Sequence, residues 1–275
     1  MSVWFVTGAS RGLGLEIVKA ALDRGDSVVA AVRDPRSFEA PASGELLVVP
    51  LDVTDQEQAD AAVSAAVARF GGIDVLVNNA GRGLVGAVEE TSDAEARAVF
   101  DSNVFGLLTV LRAVTPVMRA ARSGRILNIS STGGVVAWPG WGVYSATKFA
   151  LEGITEALRL ELAPLGIQVT SVQPGPLRTD FLSSTSLGQV ERVIDDYATT
   201  GGASRTWASS NHGLQEGDPV KAPAALLTLA DLDEMPARLP LGSSTLTDIR
   251  GKLAAVGAEL EVWQDLSRSS DVVPA

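Results

Sequence analysis

The sequence contains no cysteine and one histidine, His212. Without thiols there can be no disulfide framework, cysteine nucleophile, iron–sulfur cluster or cysteine zinc site. A zinc site would have to combine His212 with carboxylates, so no metal is expected. Any Ser-His-Asp chemistry would have to run through that one imidazole. Positive charge is also short, with 22 Lys and Arg against 33 Asp and Glu and a net charge of −11. That excess of acid argues against nucleic acid and anionic membrane surfaces as partners. No basic leader precedes Val3-Trp4-Phe5-Val6. No apolar run is expected to reach the roughly 18 residues of a membrane span, so a cytoplasmic protein is expected. Proton chemistry is left to Ser, Tyr, Lys, Asn, carboxylates or a bound cofactor.

What is present is an alternation. Apolar, β-rich runs at about Ser2–Thr7, Ser27–Val32, Leu46–Leu51, Ile73–Val77, Arg125–Ile129 and Ile167–Val172 are separated by helical patterns. These patterns lie at about Gly12–Asp23, Asp55–Phe70, Asp93–Met118 and Tyr144–Leu162. Short apolar strands joined by helices require crossover connections. The expected fold is therefore α/β, a doubly wound, Rossmann-type parallel sheet with helices on both faces. Ligands of such sheets sit at the carboxyl ends of the strands. Residues 1–275 read as one domain: a dinucleotide-binding core over 1–177, a Ser/Thr/Gly-rich substrate loop over 178–217 and a helical extension over 218–275. In the extension, Leu239–Leu241 reads as an edge strand and Ser244–Ser267 as a last helix.

Thr7-Gly8-Ala9-Ser10-Arg11-Gly12-Leu13-Gly14 joins the first strand to the first helix. Glycines there allow tight backbone geometry and let a phosphate reach the free N–H groups of the helix end. The same residues contain Gly-x-Ser-x-Gly, the nucleophile elbow of serine hydrolases, with Ser10 as nucleophile and His212 downstream. Only seven residues precede Gly8, too few for the strands that a hydrolase elbow follows.

Tyr144-Ser145-Ala146-Thr147-Lys148 opens a helical pattern. A spacing of four puts Tyr144 and Lys148 on one helix face. An ammonium beside a phenol favours phenolate, so Tyr144 is expected to have a lowered pKa and to act as general acid or base.

The glycine turn, Asn78-Asn79-Ala80-Gly81, Asn103, Ser131, Tyr144 with Lys148, and Pro174-Gly175 through Thr179 follow in this order. As a set they resemble the short-chain dehydrogenase/reductase family over roughly residues 2–182. The resemblance implies hydride transfer between a nicotinamide cofactor and a carbonyl or secondary alcohol. Tyr144 would exchange the proton with the substrate oxygen and Ser131 would hydrogen-bond that oxygen. Lys148 would tune Tyr144 and hold the nicotinamide ribose, and Asn103 would position a water leading to bulk solvent. Cofactor contacts are implied for Gly8, Ser10, Arg11, Gly12, Leu13, Gly14, Asp52, Val53, Asn79, Ala80, Gly81, Pro174, Gly175, Leu177 and Thr179. Among these, Asp52 would meet the adenine amino group, while Leu177 and Thr179 would orient the nicotinamide. The tail weakly resembles hydroxysteroid-dehydrogenase-like bacterial members.

The second strand ends Ala30-Ala31-Val32-Arg33-Asp34. NAD sites carry an acid after this strand, whereas an arginine accommodates the 2′-phosphate of NADP. With Val32 at the selector position, Arg33, helped by Arg11, favours NADP(H). A one-residue shift would place Asp34 there and favour NAD(H). Trp138 and Trp141, together with Phe181, Leu182, Leu187 and Trp207 from the loose segment and Val85, are candidates for an apolar pocket taking a bulky hydrophobic ketone. The alternatives are an NAD-dependent alcohol or hydroxysteroid dehydrogenase and a catalytically silent dinucleotide-binding regulator. The resemblance also implies a homo-oligomer, with a dimer expected through the two long helices.

Overall fold

The computed structural model describes residues 1–41 and 44–272, so the last three positions of the proposed domain lie outside the described residues. Val3–Thr7 (β1) runs through the glycine turn into Gly12–Asp23 (α1) and returns as Ser27–Val32 (β2). There follow Glu45–Pro50 (β3), Gln56–Phe70 (α2), Val75–Asn78 (β4), Gly83–Val85 (β5) and Asp93–Phe100 (α3). A wide π turn over Asp101–Phe105 leads without a break into Gly106–Ala121 (α4). The chain continues through Gly124–Ile129 (β6), Gly142–Leu162 (α5), Ile167–Pro174 (β7) and Leu187–Gln189 (β8). Ala203–Ser210 (α6), Ala222–Asp231 (α7), Arg238–Leu241 (β9) and Ser243–Arg268 (α8) complete it.

Seven parallel strands form the main sheet in the order β3-β2-β1-β4-β6-β7-β9. All six residues of β2 are buried, the pattern of a strand covered on both faces. Alternate side chains feed two cores. Phe5, Val29, Leu76 and Ile126 pack with α2, α4 and α5, while Trp4, Val28, Val77 and Leu127 pack with α1 and α7. Local signals set the ends of the helices. Asp55 caps α2, Gly71 closes it at φ 85°, and Ser92 with Glu95 forms a capping box on α3. Strand order reverses between β1 and β4, which opens a crevice at their carboxyl ends.

Two features depart from the sequence expectations. β5 and β8 make a small second sheet, and the segment after residue 178 contains β8 and α6 rather than only loop. Three-residue strands are too short to show an alternation. The continuous helical run Asp93–Ala121 also has a window of mean hydropathy 1.4 that is long and apolar enough to cross a membrane, contrary to the expectation that no such run exists. In this fold its Leu107, Val110, Leu111, Val114 and Met118 are buried in the core beneath the sheet.

Candidate active site

A cleft of about 1590 Å³ runs along the carboxyl ends of the strands. At one end lies the glycine turn. Gly8 and Gly12 adopt φ 63° and 55°, in the left-handed region open to glycine. A Cβ on Gly14 would stand 2.4 Å from the Gly8 carbonyl oxygen and 2.5 Å from Asn79 Nδ2. Thr7 and Asn79 lock this turn to β4: Thr7 Oγ1 accepts from the N–H groups of Asn79 and Ala80, each at 3.0 Å. Asn79 Nδ2 donates to the carbonyls of Thr7 (2.9 Å) and Gly8 (3.2 Å). Among the described residues no side chain caps α1, so its first N–H groups and positive dipole end face the cleft. The cradle therefore fits a dinucleotide pyrophosphate. Thr179 closes over it, 3.4 Å from where a Gly12 Cβ would lie.

Ser10, Leu13, Arg33, Asp52, Val53, Ala80, Gly81, Pro174, Gly175 and Leu177 also line the cleft. Arg33 is exposed at the end of β2. Asp34, the residue a shifted register would favour, instead turns its carboxylate to the backbone N–H (3.1 Å) and Nε (2.9 Å) of Arg36. Arg11 also lines the cleft, but its contacts run toward the segment before β8. Its guanidinium donates to the Thr185 carbonyl (3.0 Å) and Ser186 Oγ (2.9 Å), because the segment before β8 passes over the glycine turn.

The catalytic candidates meet midway along the cleft. Ser131 lies two residues beyond β6, and its Oγ accepts from Gly133 N–H at 3.0 Å, which leaves its own O–H free to donate. Tyr144 stands in the first turn of α5, with Lys148 one turn later on the same buried face. A Cβ on Gly133 would lie 3.3 Å from the Tyr144 ring and 3.4 Å from Ser131 Oγ, so this glycine keeps serine and tyrosine adjacent. Lys148 Nζ donates to the Ile129 carbonyl at 2.9 Å and stands 6.0 Å from the centre of the tyrosine ring.

Here an expectation is corrected. Burial pushes the Tyr144 phenol up to about 12, with the Ser131 hydroxyl acting against the shift. Burial also brings the Lys148 ammonium down to about 8, with Glu152 acting against it. Withdrawal from water opposes the charged form of both groups, and at the phenol it outweighs the Ser131 hydrogen bond.

Asn103 sits in the π turn, a helix irregularity that recurs at functional sites. Its Oδ1 accepts from Arg82 N–H, and its Nδ2 donates to the Arg82 carbonyl (both 2.9 Å) and to Thr147 Oγ1 (3.0 Å). A Cβ on Gly81 would fall 3.1 Å from Asn103 Oδ1 and 3.8 Å from Lys148 Nζ, which places asparagine and lysine on either side of that backbone. Sequence reasoning missed Thr147, three residues after Tyr144, and Glu152, four after Lys148. Helical spacing alone could have found both.

The far end of the cleft is aromatic. Trp141 meets Tyr144 edge-on (5.9 Å between ring centres) and Trp207 likewise (6.4 Å), and Phe181 tilts against Tyr144 at 5.7 Å. Trp138 also lines the cleft. Val85 and Leu187 do not; they pack with Ala208 in a small buried cluster. His212 is exposed and outside the cleft lining, so nothing assembles a hydrolase triad on Ser10.

The reversing parallel sheet, the open helix end and the Ser–Tyr–Lys cluster together define a nicotinamide-dinucleotide-dependent oxidoreductase. The chain belongs to the short-chain dehydrogenase/reductase family, whose short chain dehydrogenase pattern matches residues 2–189. It is 38% identical over 273 residues to the oxidoreductase BOA17 of Botryotinia fuckeliana, covering 98% of each chain. A crystal structure of a short-chain dehydrogenase from Streptomyces avermitilis superposes with a TM-score of 0.89 at 40% identity, covering 98% of this chain and 100% of that one. A short chain dehydrogenase from Burkholderia cenocepacia in complex with NADP gives 0.70 at 28% identity, covering 99% and 98%.

Proposed function

We propose that this protein is an NADP(H)-dependent carbonyl reductase, or secondary-alcohol dehydrogenase in reverse, acting on bulky hydrophobic ketones. The observation that carries the reading is the Ser131–Tyr144–Lys148 cluster set against the wall of Trp141, Phe181 and Trp207. Bound nicotinamide would supply the hydride. The glycine turn and the α1 end would hold its pyrophosphate, Asp52 and Val53 would flank the adenine, and Leu177 and Thr179 would meet the nicotinamide.

Ser131, whose hydroxyl stands beside the Tyr144 phenol, would donate to the substrate oxygen and stabilise the charge that develops there. Tyr144 is a neutral phenol at pH 7, the form needed to deliver a proton to that oxygen. Lys148 is an ammonium below about pH 8 and offsets the charge left on the phenol. Ketone reduction is therefore expected to fall by roughly tenfold between pH 7 and 9 as that ammonium is lost. A flat kcat/KM profile across this interval would remove Lys148 from the role.

Solved relatives carry either NADP or NAD. Arg33, exposed at the end of β2 and lining the cleft, supports NADP(H), since a guanidinium matches a phosphate with a planar pair of donors. The reading includes a dimer in the cytoplasm, its contact face formed by the exposed Phe105, Phe149 and Leu160 around α4 and α5.

One experiment tests the whole: nicotinamide absorbance with a panel of bulky ketones and both cofactors, for the native chain, Tyr144→Phe and Arg33→Ala. Tyr144→Phe should lower turnover by about 10³-fold while retaining NADPH binding. Arg33→Ala should weaken NADPH by roughly 10- to 100-fold and leave NADH unchanged. An NADH preference that survives Arg33→Ala would overturn the cofactor assignment. NADPH binding without turnover of any ketone would favour a silent regulatory protein.

A further inference from the structure

α8 is anchored at one end only. Thr245 is buried and its Oγ1 shares a hydrogen bond with Thr132 Oγ1 (2.8 Å) in the turn after Ser131, and Ile249 is buried one turn later. From Arg250 to Arg268 every residue except the half-buried Val256 is exposed. At 1.5 Å per residue this is an overhang of about 28 Å. Gly251 and Gly257 lie within it, and a Cβ on either would meet nothing. Interior glycines cost about 1 kcal/mol each, and isolated helices of this length are marginal in water. The overhang needs a partner.

Its sequence indicates which one. Leu246, Ile249, Leu253, Val256, Leu260 and Trp263 alternate spacings of three and four, the a and d positions of a heptad seam. Leu253, Leu260 and Trp263 are 61%, 67% and 58% exposed. Charges beside the seam select a direction. If two such helices run antiparallel with Leu253 opposite Val256, then Leu246 meets Trp263 and Leu260 comes level with the turn at Ile249, which the chain's own body already covers. Lys252 then faces Glu259 across the seam, twice by symmetry. A parallel pair would set Lys252 against Gly257 and Glu259 against Gln264, with no charge matched. We propose that α8 is an assembly arm that pairs antiparallel with α8 of a second copy of this chain in that register. This contact is separate from the α4–α5 face.

The absence of cysteine allows a direct test. Leu246→Cys and Trp263→Cys proteins, mixed and oxidised under non-reducing conditions, should give a mixed disulfide-linked dimer. Each alone should not, because like positions lie about 25 Å apart along antiparallel helices. Self-crosslinking of each single variant would show a parallel pair and overturn the proposal. Sedimentation of the full-length native chain gives the second reading. Lys252→Glu, which sets acid against acid at both crossings, should weaken the association by roughly tenfold, and adding Glu259→Lys should restore it. No mixed crosslink, or an assembly unmoved by Leu253→Glu with Leu260→Glu, would also overturn it. So would an assembly disrupted by that pair but indifferent to the charge reversal, since the arm would then rest on the partner's body.

Discussion

The two ends of the cleft are built by different means. At the cofactor end, the seat is made of backbone belonging to the sheet and its first turn. Thr7 and Asn79 stitch β1 to β4, and Gly8 and Gly14 have no room for even a methyl group. At the substrate end, the wall is hung on side-chain clasps. Glu90, fully buried before α3, accepts from the N–H groups of Ala87 (2.8 Å) and Ile194 (2.9 Å) and pairs with Arg205 of α6. The Arg205 guanidinium holds the Glu90 carboxyl well below the usual carboxylate range. Arg11 ties Thr185 and Ser186 to the glycine turn. A seat made of backbone tolerates almost no substitution, whereas a wall hung on clasps can be reshaped without disturbing it. On the proposed reading the cofactor seat belongs to the fold, and substrate choice would rest on Trp138, Trp141 and the side chains of residues 178–217.

The strongest way to break this contrast is to add one methyl group at the cofactor end. Gly14→Ala forces a Cβ to within 2.4 Å of the Gly8 carbonyl oxygen, which is backbone and cannot step aside. Overpacking of that kind costs about 1–3 kcal/mol, so calorimetry should show a lower Tm. Because the displaced turn is the phosphate cradle, NADPH affinity should fall by roughly 100-fold or more. Near-native affinity would mean the seat is softer than its contacts indicate.

How much of each end could be read beforehand follows the same division. The glycine turn, the strands around it and the Tyr144–Lys148 spacing depend on neighbours along the chain, so sequence patterns exposed them. β2, apolar at nearly every position, reads as a buried central strand without any tertiary information. The Glu90–Arg205 clasp joins residues 115 apart, and nothing local distinguishes this glutamate from a solvated one. The direction of the Tyr144 shift was hidden for a related reason. Spacing shows that a lysine is near, while the burial that raises the phenol is a property of the assembled site. Arg11 was read from the turn it belongs to, but the chain it binds arrives some 174 residues later.

A smaller effect is expected from opening the main clasp. Glu90→Gln leaves Arg205 without its counter-charge in a half-buried position. Substrate KM should rise by about tenfold and hydrogen exchange across residues 190–210 should quicken, since a buried pair stripped of one partner is strongly unfavourable. NADPH affinity should stay within about twofold of native, because separate sites add nearly independently. An equal loss in both constants would show that the two ends are one unit.

The smallest and sharpest probe is Arg11→Ala, because Arg11 belongs by sequence to the cofactor end and by contact to the substrate end. Its two hydrogen bonds reach exposed or half-buried partners, and such contacts are each worth about 0.5–1 kcal/mol. If the guanidinium serves as a clasp, ketone KM should rise about threefold with NADPH and NADH affinities both unchanged. If it reads the 2′-phosphate instead, NADPH affinity alone should fall and ketone KM at saturating cofactor should hold. Measuring both constants for one variant therefore decides whether the boundary between the two ends runs along the chain or through the contacts.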